Sequence, residues 1–206
     1  MGFTAKLAIT AMIVAVTCGV ALPAVAAPAH PTAAVTAHAT ITESSVTETQ
    51  WLADVSTAIA PAYSWVEQRT TVPSSRKLAI VFDIDNTTLA SYFHPFTEPA
   101  VQAVLQLAQF AHQRGVAVMF VTGRLEFIDP ITWLSLNNSG YPVDALYSRD
   151  WDQLLEPLQT FKTDQRIAIE QQGYTIISNL GNNWSDLDGG HAERTFKLPD
   201  YNGLLS

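Results

Sequence analysis

Residues 77–88 read KLAIVFDIDNTT. Lys77 to Ile84 is a short β-branched and apolar run, the pattern of a strand buried on both faces of a parallel sheet. Such a strand needs neighbours on either side and helices over both faces, and the chain downstream supplies them. A helix is expected from about Glu98 to Arg114, with Val101, Val104, Leu105 and Ala108 on one face, Thr97 as cap and Gly115 at the C′ position. Val116 to Val121 reads as a second buried strand, and Phe127 to Asn138 as a helix ended by Ser139-Gly140. Ala145 to Tyr147 reads as a short strand and Thr163 to Gln172 as a helix closed by Gly173. Tyr174 to Ser178 and Phe196 to Leu198 complete the series. Strands alternating with helices predict an α/β fold, a Rossmann-like, mostly parallel sheet flanked by helices with right-handed crossovers. Ligands bind such sheets at the carboxyl ends of the strands.

Upstream of this block, Ser45 to about Arg69 has a helical pattern, with Trp51, Val55, Ile59 and Tyr63 four residues apart and Pro61 marking a break or kink. Residues 27–43 are Ala, Thr, Pro and His with almost no large apolar side chain, a composition expected to stay flexible. Residues 1–26 read as a signal peptide: a positive start ending at Lys6, an uncharged apolar run from Leu7 to Val20, and Ala24-Val25-Ala26 before the cut. The run is shorter than the roughly 20 residues a spanning helix requires. The expected organisation is therefore a signal peptide, a flexible segment and a folded domain over 44–206 with a helical extension at its start. A secreted product with no stable membrane association follows.

The single cysteine, Cys18, lies inside the leader, so the mature chain is expected to lack disulfides, thiolate metal sites and cysteine nucleophiles. Thr17 stands where a lipobox wants Gly, Ala or Ser, which disfavours lipidation. The chain carries 11 basic and 19 acidic side chains, for a net charge of −8, and cleavage would remove Lys6 as well. That balance argues against a nucleic-acid partner, since acidic surfaces repel phosphate backbones. A small anionic ligand is not excluded, because a metal can set the field inside a pocket.

The chemistry sits at the strand ends. Asp83 and Asp85 close the first strand, and alternation is expected to send both to the same side. Two carboxylates this close repel, and a nearby cation is the usual remedy. The second strand ends in Thr122-Gly123-Arg124, a hydroxyl and backbone N–H groups suited to phosphoryl oxygens. Lys162 is placed just before a helix, where ammonium and helix N-terminus could both meet an anion. The strand from Tyr174 leads to Gly181-Asn182-Asn183-Trp184-Ser185-Asp186, with further oxygen ligands.

In this order and spacing the chain resembles the haloacid dehalogenase superfamily, whose four motifs correspond to DIDNT, the TGR threonine, a lysine, and a variant of Gly-Asp-x-x-x-Asp. It is most similar to subfamily IIIB, the acid phosphatase branch that includes plant vegetative storage proteins and bacterial class C phosphatases. TGRLEF, Thr132, Ser139 to Tyr141, Arg149 and GNNWSDLDGG carry that likeness, which covers roughly Lys77 to Asp200. The resemblance implies Asp83 as nucleophile and Asp85 as acid and base. It implies Thr122, the Gly123 amide and Lys162 as phosphate-binding groups, with Thr122 and Lys162 also catalytic. It further implies Mg²⁺ held by Asp83, the Asp85 carbonyl, Asn182 and Asp186. Short spacings between motifs imply a capless, open site, and the implied substrate is a small phosphate monoester. The implied function is a secreted Mg²⁺-dependent acid phosphatase; a non-catalytic storage or binding protein and a phosphotransferase are the alternatives.

The family usually has Asp where this chain has Asn182, one anionic ligand fewer for a hard cation. Taken alone, Lys162 could be a solvated lysine, and Asn182 and Asp186 could cap a helix. His94, beside Tyr92, Phe93 and Phe96, reads either as a pocket residue or as an ordinary loop histidine. Trp133, Trp151 and Trp184 read as packing residues.

Overall fold

The structure is a computed structural model and describes residues 46–206. The expected signal peptide (1–26) and flexible segment (27–43) lie outside the described residues. Five strands, β1 (Lys77–Phe82), β2 (Ala117–Leu125), β3 (Ala145–Arg149), β4 (Tyr174–Gly181) and β5 (Thr195–Lys197), form one parallel sheet in the order β3-β2-β1-β4-β5. The helices are α1 (Glu48–Thr71), α2 (Gln102–Gln113), α3 (Asp129–Asn138), α4 (Leu158–Gln171) and the single turn α5 (Trp184–Leu187). Short 3₁₀ turns cover Glu126–Ile128 and Trp151–Leu155.

The alternation within β1 decides which core each residue enters. Ile80 and Phe82 join Val118, Phe120 and Ile177 under α1 and α2. Ala79 and Val81 turn the other way and pack with Met119, Val121, Phe161 and Ile169 under α4. A strand covered on both faces must be apolar throughout, which is why KLAIVF was legible as central.

Several boundaries differ from expectation, these four among them. First, α1 runs unbroken through Pro61. A proline inside a helix costs about 3 kcal/mol. Here it lies on the exposed face, while Trp51, Val55, Ile59, Ala62 and Val66 are buried on the other. Burying each large side chain is worth about 1.5–3 kcal/mol, so the buried stripe outweighs the proline. Second, α2 starts at Gln102 with Val101 as its N-cap, not at Glu98 with Thr97. Pro99 disfavours helical backbone at Glu98, which instead takes φ +40°. Third, β2 continues to Leu125, so Thr122-Gly123-Arg124 lies within extended chain. Fourth, α4 begins at Leu158, directly after Pro157 at the N-cap, and Lys162 lies in its second turn.

The β1–β4 ladder shifts register between Ala79 and Ile80, leaving Ile177 as an extra residue in β4. Its carbonyl accepts the Trp65 indole N–H at 2.7 Å, which ties α1 to the sheet. Only loop separates β1 from α2, in keeping with a capless design. Among the described residues no helix is long and apolar enough to cross a membrane. Trp151 and Trp184 are exposed rather than packed inside, Trp151 stacking on Phe127 at 5.5 Å; Trp133 is exposed as well.

Candidate active site

Because β1, β2 and β4 are parallel, their carboxyl ends share one edge, and the chain bends there in different ways. β1 ends at Phe82, and Asp83 adds one more rung by donating its N–H to the Leu180 carbonyl at 2.9 Å. The loop then coils about Ile84, whose carbonyl accepts the N–H groups of Thr87, Thr88 and Leu89 at 3.2, 2.9 and 3.0 Å. Asn86 takes the left-handed conformation this requires, φ +55°. The buried Thr88 hydroxyl donates to the Asp83 and Ile84 carbonyls, both at 3.2 Å.

This coil overturns the expectation that Asp83 and Asp85 point the same way. Strand alternation stops at Phe82, and the two carboxylates diverge. Asp83 turns inward to the Lys162 ammonium, 2.6 Å from its Oδ1. Asp85 turns outward to Arg124, whose Nε and Nη2 donate to its two oxygens at 3.0 and 2.6 Å. Arg124 also donates to both oxygens of Glu98, at 3.1 and 2.7 Å.

Lys162 reaches the edge from inside α4, so the helix N-terminus expected beside it is a turn away. Its ammonium also meets Asp186 Oδ1 at 2.5 Å. Asp186 is held on two sides. Its Oδ2 accepts the Asn183 N–H at 2.8 Å, and its carbonyl accepts from Arg166 Nη1 at 2.6 Å and Asn179 Nδ2 at 2.8 Å. A Cβ on Gly181 would collide with Asp186 Cβ and Oδ2, so only glycine allows this approach. Thr122 is fully buried, and its hydroxyl accepts the Arg124 N–H at 3.2 Å. Gly123 lies against Leu158, whose Cδ1 would be 3.2 Å from an added Cβ.

Burial sets the electrostatics. Asp83 is pushed up to about 7, first by desolvation and then by the Asp186 carboxylate, with Lys162 opposing. Burial works against the Lys162 charge, yet Asp83 and Asp186 outweigh it and raise its pKa. Burial would also raise Asp85, but the Arg124 guanidinium wins and holds Asp85 below the ordinary carboxylate range.

Asp83, Lys162 and Asp186 therefore form one cluster, in which two buried carboxylates share a single ammonium. The net negative charge left in that cluster suits a divalent cation. All nearby donors are hard oxygens, the preference of Mg²⁺ or Ca²⁺. Among the described residues no group of three or more His, Cys, Asp or Glu side chains comes together to hold a metal. The donors present, two carboxylates and the carbonyls near them, are of the kind a divalent cation takes.

Asn182 is buried, and its amide is engaged. Its Nδ2 donates to the Leu205 carbonyl at 2.8 Å, while its Oδ1 accepts from Thr87 Oγ1 at 3.3 Å. His94 Nε2 meets Glu48 Oε1 at 2.8 Å, which ties its loop to α1. Sequence reasoning assigned no role to Arg124, Glu98, Arg166 or Leu205. Arg166 stands four residues after Lys162 on one helix face, a spacing that could have singled it out. It is buried and donates to the carbonyls of Asp186, Asp188 and Gly190, holding the loop that carries Asp186.

A family model described as HAD superfamily, subfamily IIIB (Acid phosphatase) matches residues 91–204, beginning just after the Asp83 loop. Acid phosphatase 1 of Solanum lycopersicum is 33% identical over 113 residues, covering 50% of this chain and 42% of that protein. A stem 28 kDa glycoprotein of Glycine max is 33% identical over 106 residues, with the same coverage of 50% and 42%. The chain thus spans about two fifths of the length of these two relatives. The class C acid phosphatase from Bacillus anthracis superimposes with a TM-score of 0.57 at 16% identity, over 69% of this chain and 67% of that one, a likeness of fold.

Proposed function

Since the chain belongs to the haloacid dehalogenase superfamily, subfamily IIIB, we propose that it is an acid phosphatase hydrolysing small phosphate monoesters through an aspartyl-phosphate on Asp83. The observation that carries this reading is the buried Lys162 ammonium held between Asp83 and Asp186 at the carboxyl edge of the sheet. It keeps a reactive carboxylate oriented in a pocket that must accept phosphate charge.

In the first displacement the Asp83 oxygen not bonded to Lys162 attacks phosphorus. The ester P–O bond breaks, and the departing alkoxide takes a proton from Asp85. In the second, Asp85 takes a proton from water as the water oxygen attacks phosphorus. The acyl-phosphate P–O bond breaks, releasing inorganic phosphate and restoring the Asp83 carboxylate. Thr122 Oγ1 and the Gly123 N–H bind the transferred phosphoryl group, and Lys162 offsets its charge. A loose phosphoryl transition state asks chiefly for such positioning and neutralisation. Arg124 opposes protonation of Asp85, and an arriving phosphate competes with Asp85 for that guanidinium.

We propose Mg²⁺ as cofactor, held by Asp83, Asp186, the Asp85 carbonyl and the Asn182 amide oxygen, where it would neutralise phosphoryl charge. Export, with residues 1–26 as leader, belongs to the same proposal. Hydrolysis of an aryl phosphate by purified protein, with Mg²⁺ and with chelator, tests the reading. No hydrolysis with Mg²⁺ by folded protein overturns the enzyme, and equal rates in chelator overturn the metal.

A second reading, a non-catalytic storage or binding protein, is favoured by Asn182, which replaces an acid and is engaged elsewhere. Phosphate binding without turnover would support it. A phosphotransferase would show itself by partitioning the phosphoryl group to added alcohol.

A further inference from the structure

Two buried asparagines from different loops converge on one backbone oxygen. Asn86 Nδ2 and Asn182 Nδ2 donate to the Leu205 carbonyl at 2.9 and 2.8 Å. Asn86 lies in the loop between Asp83 and Thr88, and Asn182 lies between β4 and Asp186. The segment that delivers this carbonyl is itself anchored. The Leu205 side chain is 1% exposed, in the same core cluster as Ile84, Leu89 and Leu180. Tyr201 Oη donates to Asp54 on α1 at 2.6 Å, and Ser206 Oγ donates to Asn183 Oδ1 at 2.8 Å.

We propose that the Leu205 carbonyl is a positioning group for the two catalytic loops, and that it accounts for asparagine rather than aspartate at 182. An amide has one oxygen and one NH₂, so donating the NH₂ to Leu205 fixes which way the oxygen points. That oxygen then faces the Thr87 hydroxyl, whose own oxygen also accepts the Asn182 N–H at 3.1 Å. An ionised aspartate has no proton to donate, and would set a carboxylate against a buried carbonyl. The substitution that elsewhere in the family adds an anionic ligand would here eject the segment 200–206.

The test is a thermodynamic cycle on the full chain in chelator at pH 8, read by thermal unfolding and by amide hydrogen exchange of residues 200–206. Asn182→Asp should lower Tm by roughly 5–10 °C and speed exchange in that segment. In a Leu205→Asp background, where the segment is already released, the same substitution should cost much less. Parent-like exchange in Asn182→Asp overturns the proposal. So does an undiminished Tm loss in the Leu205→Asp background, which would assign the effect to repulsion from Asp83 and Asp186.

Asn182→Ala serves if the charged variant does not fold. It removes the donor without adding charge and should still release 200–206; continued protection of the segment overturns the idea. Positioning is read separately. For folded Leu205→Asp protein, the Mg²⁺ concentration giving half-maximal aryl phosphate hydrolysis should rise several-fold, and an unchanged value removes the positioning role. That last measurement rests on the phosphatase reading. The stability and exchange measurements do not, so the two failures are distinguishable.

Discussion

Two ion triads flank the loop after β1, and they have the same stoichiometry. In the inner one Lys162 lies between Asp83 and Asp186; in the outer one Arg124 lies between Asp85 and Glu98. Side-chain exposure separates them, at 3%, 8% and 3% for Lys162, Asp83 and Asp186 against 11%, 44% and 20% for Arg124, Asp85 and Glu98. The same ratio of charges therefore has opposite effects. Asp83 is raised to about 7 despite its ammonium, whereas Asp85 is lowered by its guanidinium. Water and a forked donor satisfy the outer pair, while the inner pair has one point charge for two desolvated carboxylates.

The widest expected difference between the triads is catalytic. Asp83→Asn should lower kcat by on the order of 10³-fold or more, because it removes the nucleophile's charge. Turnover close to that of the parent in a folded protein, checked for deamidation, would exclude the covalent route. Asp85→Asn should cost about 10²- to 10⁴-fold, with the first step slowed more for alkyl than for aryl phosphates, which need less protonation on departure. Rapid kinetics showing equal losses for both leaving groups would take the proton transfer away from Asp85.

Stability should separate the triads next. Lys162→Met strands two buried carboxylates and is expected to cost about 3–5 kcal/mol in urea unfolding with chelator present. Mg²⁺ should restore part of that loss, and an unchanged midpoint would mean that the inner triad is not strained. The smallest effect belongs to the outer rim. Glu98→Gln leaves Arg124 paired with Asp85 in contact with water and should change stability by less than about 1 kcal/mol. A loss as large as that of Lys162→Met would erase the contrast.

The parts that sequence disclosed are those with a side-chain rule behind them. β1 was legible because burial on both faces demands a continuous apolar run, and the glycines after α2, α3 and α4 marked those helix ends. Lys162 was singled out, but its helix was started too late because Pro157 was not read as the start it provides. The divergence of Asp83 and Asp85 was hidden because periodicity cannot say where a strand stops, and here it stops at Phe82. Leu205 left no trace, since any residue supplies a backbone carbonyl. Arg124 stood in view beside Thr122, yet its two carboxylate partners are 39 and 26 residues away in the chain.

The missing side chain of Gly181 bears on how this protein could change its trade. One added methyl group there, reached by a single nucleotide change, would press on Asp186 and shift it from Lys162. If the proposed phosphatase reading holds, a lineage could in this way lose the Asp186–Lys162 contact, and turnover with it, in one step. Gly181→Ala would reproduce that step in the laboratory: turnover gone, fold and phosphate binding retained. A variant that still hydrolyses aryl phosphate at the parent rate would close that route.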